Sequence, residues 1–263
     1  MKQYIVDAFA EELFSGNPAA VLPCKKMPSS EMMQKIAIEN NYSETAFVVK
    51  RSPGQYDLKW FTPGGEIDLC GHATLGTSFV IDNFVDKGVE EMHFHTLSGE
   101  LIVKKEAAGY TMNFPVGKIK PIPITESILE ASSHLATEAY YDGGDMVAIV
   151  SSSEELKNFK PDAELIKKLD GLGFILTAKS EEDRFDFVSR CFYPKLELLE
   201  DPVTGRAHTY LTPIWTEKLG KKVMTAKQIS KRGGVMTVRQ DGDRVYLTGH
   251  VQLFMEGDIP FDL

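Results

Sequence analysis

Cysteine is scarce in this 263-residue chain: Cys24, Cys70 and Cys191 stand far apart, with no C-x-x-C pair. Such spacing argues against a disulfide framework or a zinc ribbon and fits a reducing, cytoplasmic setting. Long apolar runs are missing too. No stretch approaches the roughly 20 residues needed to cross a bilayer, and the amino terminus passes from Met1-Lys2 through Tyr4-Ile5-Val6 to Asp7 without a signal-like apolar segment. Basic charge is in deficit, with 29 Lys and Arg against 38 Asp and Glu and a net charge of −9. That balance excludes a broad surface for nucleic acid or anionic membrane, so neither is expected as a partner.

What the chain does contain is an internal duplication. Pro28-Ser29-Ser30-Glu31-Met32-Met33-Gln34-Lys35-Ile36 runs in step with Pro161-Asp162-Ala163-Glu164-Leu165-Ile166-Lys167-Lys168-Leu169. Tyr56-Asp57-Leu58 with Phe61-Thr62-Pro63 matches Phe185-Asp186-Phe187 with Phe192-Tyr193-Pro194, Gly71 matches Gly205, and Ser98 to Val103 resembles Gly233 to Val238. An ordered series at an offset near half the chain length predicts two similar halves. A chain that is 43% hydrophobic can give each half a core of its own. The expected boundary lies in the proline-rich stretch 115–123, giving domains 1–117 and 118–263, with the last strand, about 252–263, able to cross back to the first.

Within each half, short strands alternate with few helices. Ser29 or Ser30 can cap a helix whose Met32, Met33, Ile36 and Ala37 form one apolar face and which Asn40-Asn41 ends. Its twin starts at Asp162 and stops near Gly171. Residues 92–97, 100–105, 110–114 and 244–248 read as strands. The helix after Gly71, running to Phe84, is apolar on nearly all sides and is expected inside a curled sheet. The helix after Gly205 carries Tyr210, Leu211, Ile214, Trp215 and Leu219, with Pro213 expected to bend it.

Two segments carry the candidate chemistry: Asp68-Leu69-Cys70-Gly71-His72-Ala73-Thr74 and Asp201-Pro202-Val203-Thr204-Gly205-Arg206-Ala207-His208. Each sets an acid, a glycine and small residues before an apolar stretch, which opens a helix whose free N–H groups can hold an anion. Two such cradles suggest one cleft between the halves. Ser43-Glu44-Thr45 adds a carboxylate at the start of an apolar run, and the second half has no counterpart of it. At a helix start, a neutral His72 ring is expected over a charged one. His93 and His95 share one face of a strand without a third ligand at a motif spacing, so no metal is expected there and a solvent-facing strand edge is the preferred reading.

Taken with Asp7-Ala8-Phe9, Gly16-Asn17-Pro18-Ala19-Ala20-Val21 and Ser43-Glu44-Thr45-Ala46-Phe47, these segments resemble the signature of phenazine biosynthesis PhzF-like proteins, in order over nearly the whole chain. The resemblance implies an α+β fold like that of diaminopimelate epimerase, with two pseudo-symmetric domains, each a mixed sheet rolled around a central helix. It further implies a homodimer and a cofactor-independent isomerase acting on a small anionic substrate. By the same resemblance Glu44 transfers the proton, His72 and Asp201 assist or position substrate, and Ser43, Asn17, Gly71, Ala73 and Gly205 bind it. Arg206 stands where serine is usual in the family and could take a substrate carboxylate or narrow the cleft.

Related epimerases and racemases pair two cysteines, one before each central helix. Here Cys70 occupies the first position and Thr204 the second, and a hydroxyl is too weak an acid and base to replace a thiolate. An amino-acid epimerase or racemase is therefore the alternative reading, and a non-catalytic small-anion binder is another. Cys70 itself reads as a small core residue.

Overall fold

A computed structural model describes residues 1–260. The chain forms two compact units: Met1–Asn113 with the segment from Tyr246 on, and Phe114–Val245. The sequence placed the division at 117/118 and the returning segment at about 252; the last three residues of that segment lie outside the described residues.

In the first unit the elements run β1 (Lys2–Ala8), β2 (Asn17–Cys24), α1 (Ser30–Asn40), β3 (Glu44–Ser52), β4 (Gln55–Thr62), β5 (Gly65–Ile67), α2 (Gly71–Val80), β6 (Glu91–Thr96), β7 (Gly99–Glu106) and β8 (Gly109–Pro115). The second follows with β9 (Lys120–Ile122), α3 (Glu126–Ala131), β10 (Ala136–Tyr141), β11 (Asp145–Val150), α4 (Ser153–Asn158), α5 (Ala163–Lys167), β12 (Gly173–Lys179), β13 (Phe187–Tyr193), β14 (Leu198–Asp201), α6 (Gly205–Leu219), β15 (Val223–Gln228) and β16 (Gly234–Asp241). Strands β17 (Arg244–Gly249) and β18 (Val251–Asp258) close the chain.

Strand pairing repeats the duplication. Along β1-β2-β3-β4-β6-β7 the pairs alternate antiparallel, parallel, antiparallel, parallel, antiparallel. Along β10-β11-β12-β13-β15-β16 the same alternation recurs. Each parallel pair needs a crossover, and helices supply them at matching places, α1 and α2 in one unit, α4 with α5 and α6 in the other. β18 pairs with β1, on the edge that β9 takes against β10.

The first helix has the ends its sequence predicts. Ser29 caps it by accepting from the Met32 N–H, and Asn41 turns left-handed and donates to the Ala37 carbonyl. Met33, Ile36 and Ala37 pack on Ile5, Leu22, Phe47 and Phe61 of the sheet. On the other side, α2 is buried around most of its girth and packs against β1, β2, β3 and β18. Ile5 therefore faces α1, while its neighbour Val6 approaches Gly76 of α2 so closely that a Cβ there would stand 2.7 Å from Val6 Cγ2. Successive strand residues buried on opposite faces make these strands almost continuously apolar.

The end of α2 and the surroundings of His93 and His95 depart from the sequence reading. Helix α2 stops at Val80, and a wider π turn over Ile81–Val85 brings Asp82 inward. There it accepts from the Tyr110 hydroxyl at 2.6 Å and pairs with Lys105 at 2.7 Å, a demand no hydrophobic pattern reveals. Pro213 lies inside α6, which continues to Leu219. The Thr209 carbonyl, deprived of its helical donor by the proline ring, accepts instead from the Gly117 N–H at 3.1 Å. His93 and His95 lie on a strand paired on both sides, not on an edge, because β6 joins β4 as well as β7. Their rings bond Glu91, Glu100 and Gln55.

Candidate active site

Three element ends meet in the first unit. Asn17 begins β2, Glu44 begins β3, and Cys70 is the cap residue before α2. The parallel register of β2 and β3 pairs Ala19 with Glu44, which sets the start of β3 beside the start of β2. His72, the second residue of α2, lies between them, 6% exposed. Its Nε2 is 2.8 Å from Glu44 Oε2, and its Nδ1 is 3.5 Å from Cys70 Sγ and 3.3 Å from Asn17 Nδ2.

Close as they are, Nε2 and Oε2 do not form an aligned hydrogen bond, and neither atom has another hydrogen-bond partner among the described residues. Two buried polar atoms in that state cost stability unless something else engages them. A carboxylate oxygen and an imidazole nitrogen side by side offer one acceptor and one donor to a third molecule.

The helix start is not the stronger influence on the proton of the ring. Burial opposes a charge on His72, but Cys70 and Glu44 outweigh burial and carry its pKa well above the ordinary imidazole value. A carboxylate 2.8 Å away acts more strongly than the partial charge of a helix end. In the neutral ring, Nδ1 is the acceptor that Asn17 Nδ2 and the Cys70 thiol approach, which puts the one proton on Nε2, facing Glu44; a second proton at Nδ1 requires the Asn17 amide to turn its oxygen inward.

The Cys70 thiol, buried as a small core residue is, lies against the His72 ring. Burial pushes that thiol up from its usual pKa and the Glu44 charge adds to the rise, while His72 opposes both. One donor atom each from Glu44, Cys70 and His72 lies within 4.8 Å of the others, a spacing that soft divalent ions also favour. The sulfur faces Nδ1 and the carboxylate faces Nε2, so one ion cannot use both facing pairs unless the ring turns.

The remaining residues of the first-unit signature surround this array. Ser43 and Gly71 are partly exposed, Gly71 as the first residue of α2, whereas Asn17 and Ala73 are fully buried. Asn17 thus orients the His72 ring, and Ala73 can offer a ligand no more than its backbone.

The second unit builds a different group at the matching helix start. Gly205 opens α6 after Thr204, whose hydroxyl donates to Asp201 Oδ2 at 2.5 Å. Gln228 binds this turn from β15, its Nε2 donating to the Asp201 carbonyl at 2.7 Å and its Oε1 accepting from the Thr204 N–H at 2.9 Å. Arg206 is about half exposed, with Nε 2.8 Å from Asp145 Oδ2 and 3.0 Å from the Tyr210 hydroxyl. Asp145 is buried at 1% exposure, and burial raises its pKa against the pull of Arg206.

Sequence reasoning named Glu44, His72, Asp201 and the two glycines as site candidates, and it missed Asp145, Tyr210 and Gln228 as partners of the second group. Asp145 left one usable signal, an acid opening a strand whose six residues are otherwise apolar. Gln228 left none.

A family profile for phenazine biosynthesis-like proteins matches residues 6–257. An uncharacterized isomerase of Pseudomonas aeruginosa is 42% identical over 254 residues, covering 97% of this chain and 96% of the relative. Among solved structures, a phenazine biosynthesis protein of the PhzF family from Enterococcus faecalis superposes with a TM-score of 0.94 at 45% identity, over 99% of each chain. A hydroxyproline epimerase from Agrobacterium vitis, at 11% identity, shares the fold alone, with a TM-score of 0.59 over 98% of this chain and 91% of that one.

Proposed function

Because this chain belongs to the phenazine biosynthesis-like (PhzF) family, whose relatives include proteins named isomerases, we propose that it is an isomerase that works by proton transfer through Glu44 on a small anionic substrate. The observation that carries this reading is the pair Glu44 Oε2 and His72 Nε2: buried, 2.8 Å apart, and without an aligned hydrogen bond. Glu44 takes a proton from a substrate carbon and returns it at another position. His72 donates from Nε2 to the oxygen on which charge develops, and Asn17 keeps the ring oriented.

Free N–H groups at the start of α2, behind Gly71, favour an anionic substrate group. Ser43 and the backbone of Ala73 complete that contact. In the second unit we assign Asp201 to positioning, through its bond to Thr204, and Gly205 and Arg206 to the substrate's anion. With Nε committed to Asp145 and Tyr210, Arg206 keeps its terminal amino groups for a carboxylate. The chemistry assigned to these side chains requires no cofactor, and the working form is a homodimer.

Native mass spectrometry of protein purified from its source, followed by incubation of each captured ligand and of a panel of small carboxylates with the enzyme, tests the reading. It predicts an isomer of equal mass from at least one anionic compound. Binding with no conversion of any compound would point to a small-anion-binding protein instead. A two-thiol epimerase is disfavoured by Thr204, whose hydroxyl is already engaged with Asp201.

A further inference from the structure

Cys70 has no role in the reading above, yet its sulfur faces one nitrogen of the His72 ring while Glu44 faces the other. We infer that Cys70, His72 and Glu44 form one proton-sharing array, in which the thiol is the store that refills the ring and so makes Cys70 a positioning residue for the reaction. This inference rests on the assignment of Glu44 as the base.

The geometry requires the ring to be the middle member. The 3.5 Å sulfur–nitrogen separation is within reach of a thiol hydrogen bond, and the ring spans the distance between the two outer groups. A thiol in contact only with apolar side chains would have nothing to exchange with. Here Cys70 occupies the cap position of α2, two residues before the histidine, so the helix start itself holds sulfur and ring together. The charged groups that act on Cys70 are Glu44, at the start of β3, and His72, on α2.

The proton count closes. Glu44, as carboxylate, removes a proton from carbon and becomes the acid, leaving the electron pair on the substrate. In the same step the ring gives its Nε2 proton to the oxygen on which charge develops while Nδ1 takes the thiol proton, leaving a thiolate and a neutral ring. Glu44 then delivers its proton to the second carbon, the substrate oxygen returns the other proton to Nε2, and Nδ1 gives its own back to sulfur.

The array can be read without a substrate. In the wild-type protein, nitrogen NMR of the His72 ring and the pH dependence of Cys70 alkylation by iodoacetamide, located by peptide mass spectrometry, should report a shared transition. Cys70→Ser, which keeps the size and hydrogen bonding of the side chain but does not ionise in this range, should lower the His72 pKa by about one unit, tenfold in the protonation equilibrium. His72→Asn should raise the Cys70 thiol pKa by a matching amount, since coupling between two sites is reciprocal. A ring titration in folded Cys70→Ser identical to wild type would overturn the inference and return Cys70 to packing. Should either variant misfold, separate and independent transitions for sulfur and ring in the wild type would do the same. Failure of Glu44 as the base would show instead as unchanged turnover in Glu44→Gln, a separate readout.

Discussion

His208 Nδ1 lies 2.8 Å from the carbonyl oxygen of Thr204, four residues back along α6. In the other unit Thr74 Oγ1 makes the same four-residue bond to the Cys70 carbonyl, at 2.5 Å. The duplication has kept the bond and exchanged the side chain. His208 is completely buried against Phe187, its Nε2 has no hydrogen-bond partner among the described residues, and burial depresses its pKa to about 4.

Acid should therefore weaken the fold through His208. The unfolded chain takes up a proton near pH 6.5 and the folded one only near pH 4, so stability is full above pH 6.5 and falls as the pH drops through that window. The loss is on the order of 3 kcal/mol at most. His208→Thr borrows the side chain used at Thr74; it should cost roughly 2 kcal/mol at pH 8 through lost volume and flatten this part of the pH dependence. Urea unfolding of both proteins at pH 8, 6 and 4.5 measures it.

Gly117 should tolerate no side chain. A Cβ there would stand 2.2 Å from the Tyr210 ring, which Arg206 holds, and moving the backbone away would take its N–H from the Thr209 carbonyl that Pro213 leaves without a donor. Gly117→Ala should cost about 1–3 kcal/mol, read as a lower thermal midpoint. Pro213→Ala in the same background should recover part of the loss, by giving Thr209 a helical donor again.

Arg206→Ser should destabilise the second unit at neutral pH, because it strips the cation from buried Asp145. The cost is roughly 2 kcal/mol, less than for a fully buried pair because Arg206 is half exposed. Protonation relieves a buried unpaired carboxylate, so the deficit should shrink as the pH falls toward 5. Asp145→Asn added to Arg206→Ser should restore most of the stability, and a double-mutant cycle by chemical denaturation measures the coupling.

How far the sequence could be read depended on whether the controlling interaction was local. Ser29 and Asn41 bound the first helix through bonds to residues three and four away, and both are visible in the string of letters. Glu44 and His72 stand in short motifs whose element starts converge. The weight of the helix start at His72 was overrated, because that local cue is weaker than a carboxylate brought in from 28 positions earlier in the chain. Asp145 and Arg206 are 61 positions apart, and their pairing follows from the packing of the second unit rather than from any pattern. The π turn after Val80 is likewise set by Tyr110 and Lys105, which reach Asp82 from distant strands.

The central claim is that the Glu44 carboxylate moves the substrate proton. Its most direct test is hydrogen exchange at carbon: the compound found to be isomerised is incubated in heavy water with wild type and with Glu44→Gln, and deuterium at each carbon is followed by NMR beside a binding measurement. Wild type should place deuterium at the carbon that gains a proton, while folded Glu44→Gln should bind the compound and exchange it roughly 10²-fold more slowly or less. Deuterium entering at the wild-type rate in Glu44→Gln would contradict the account.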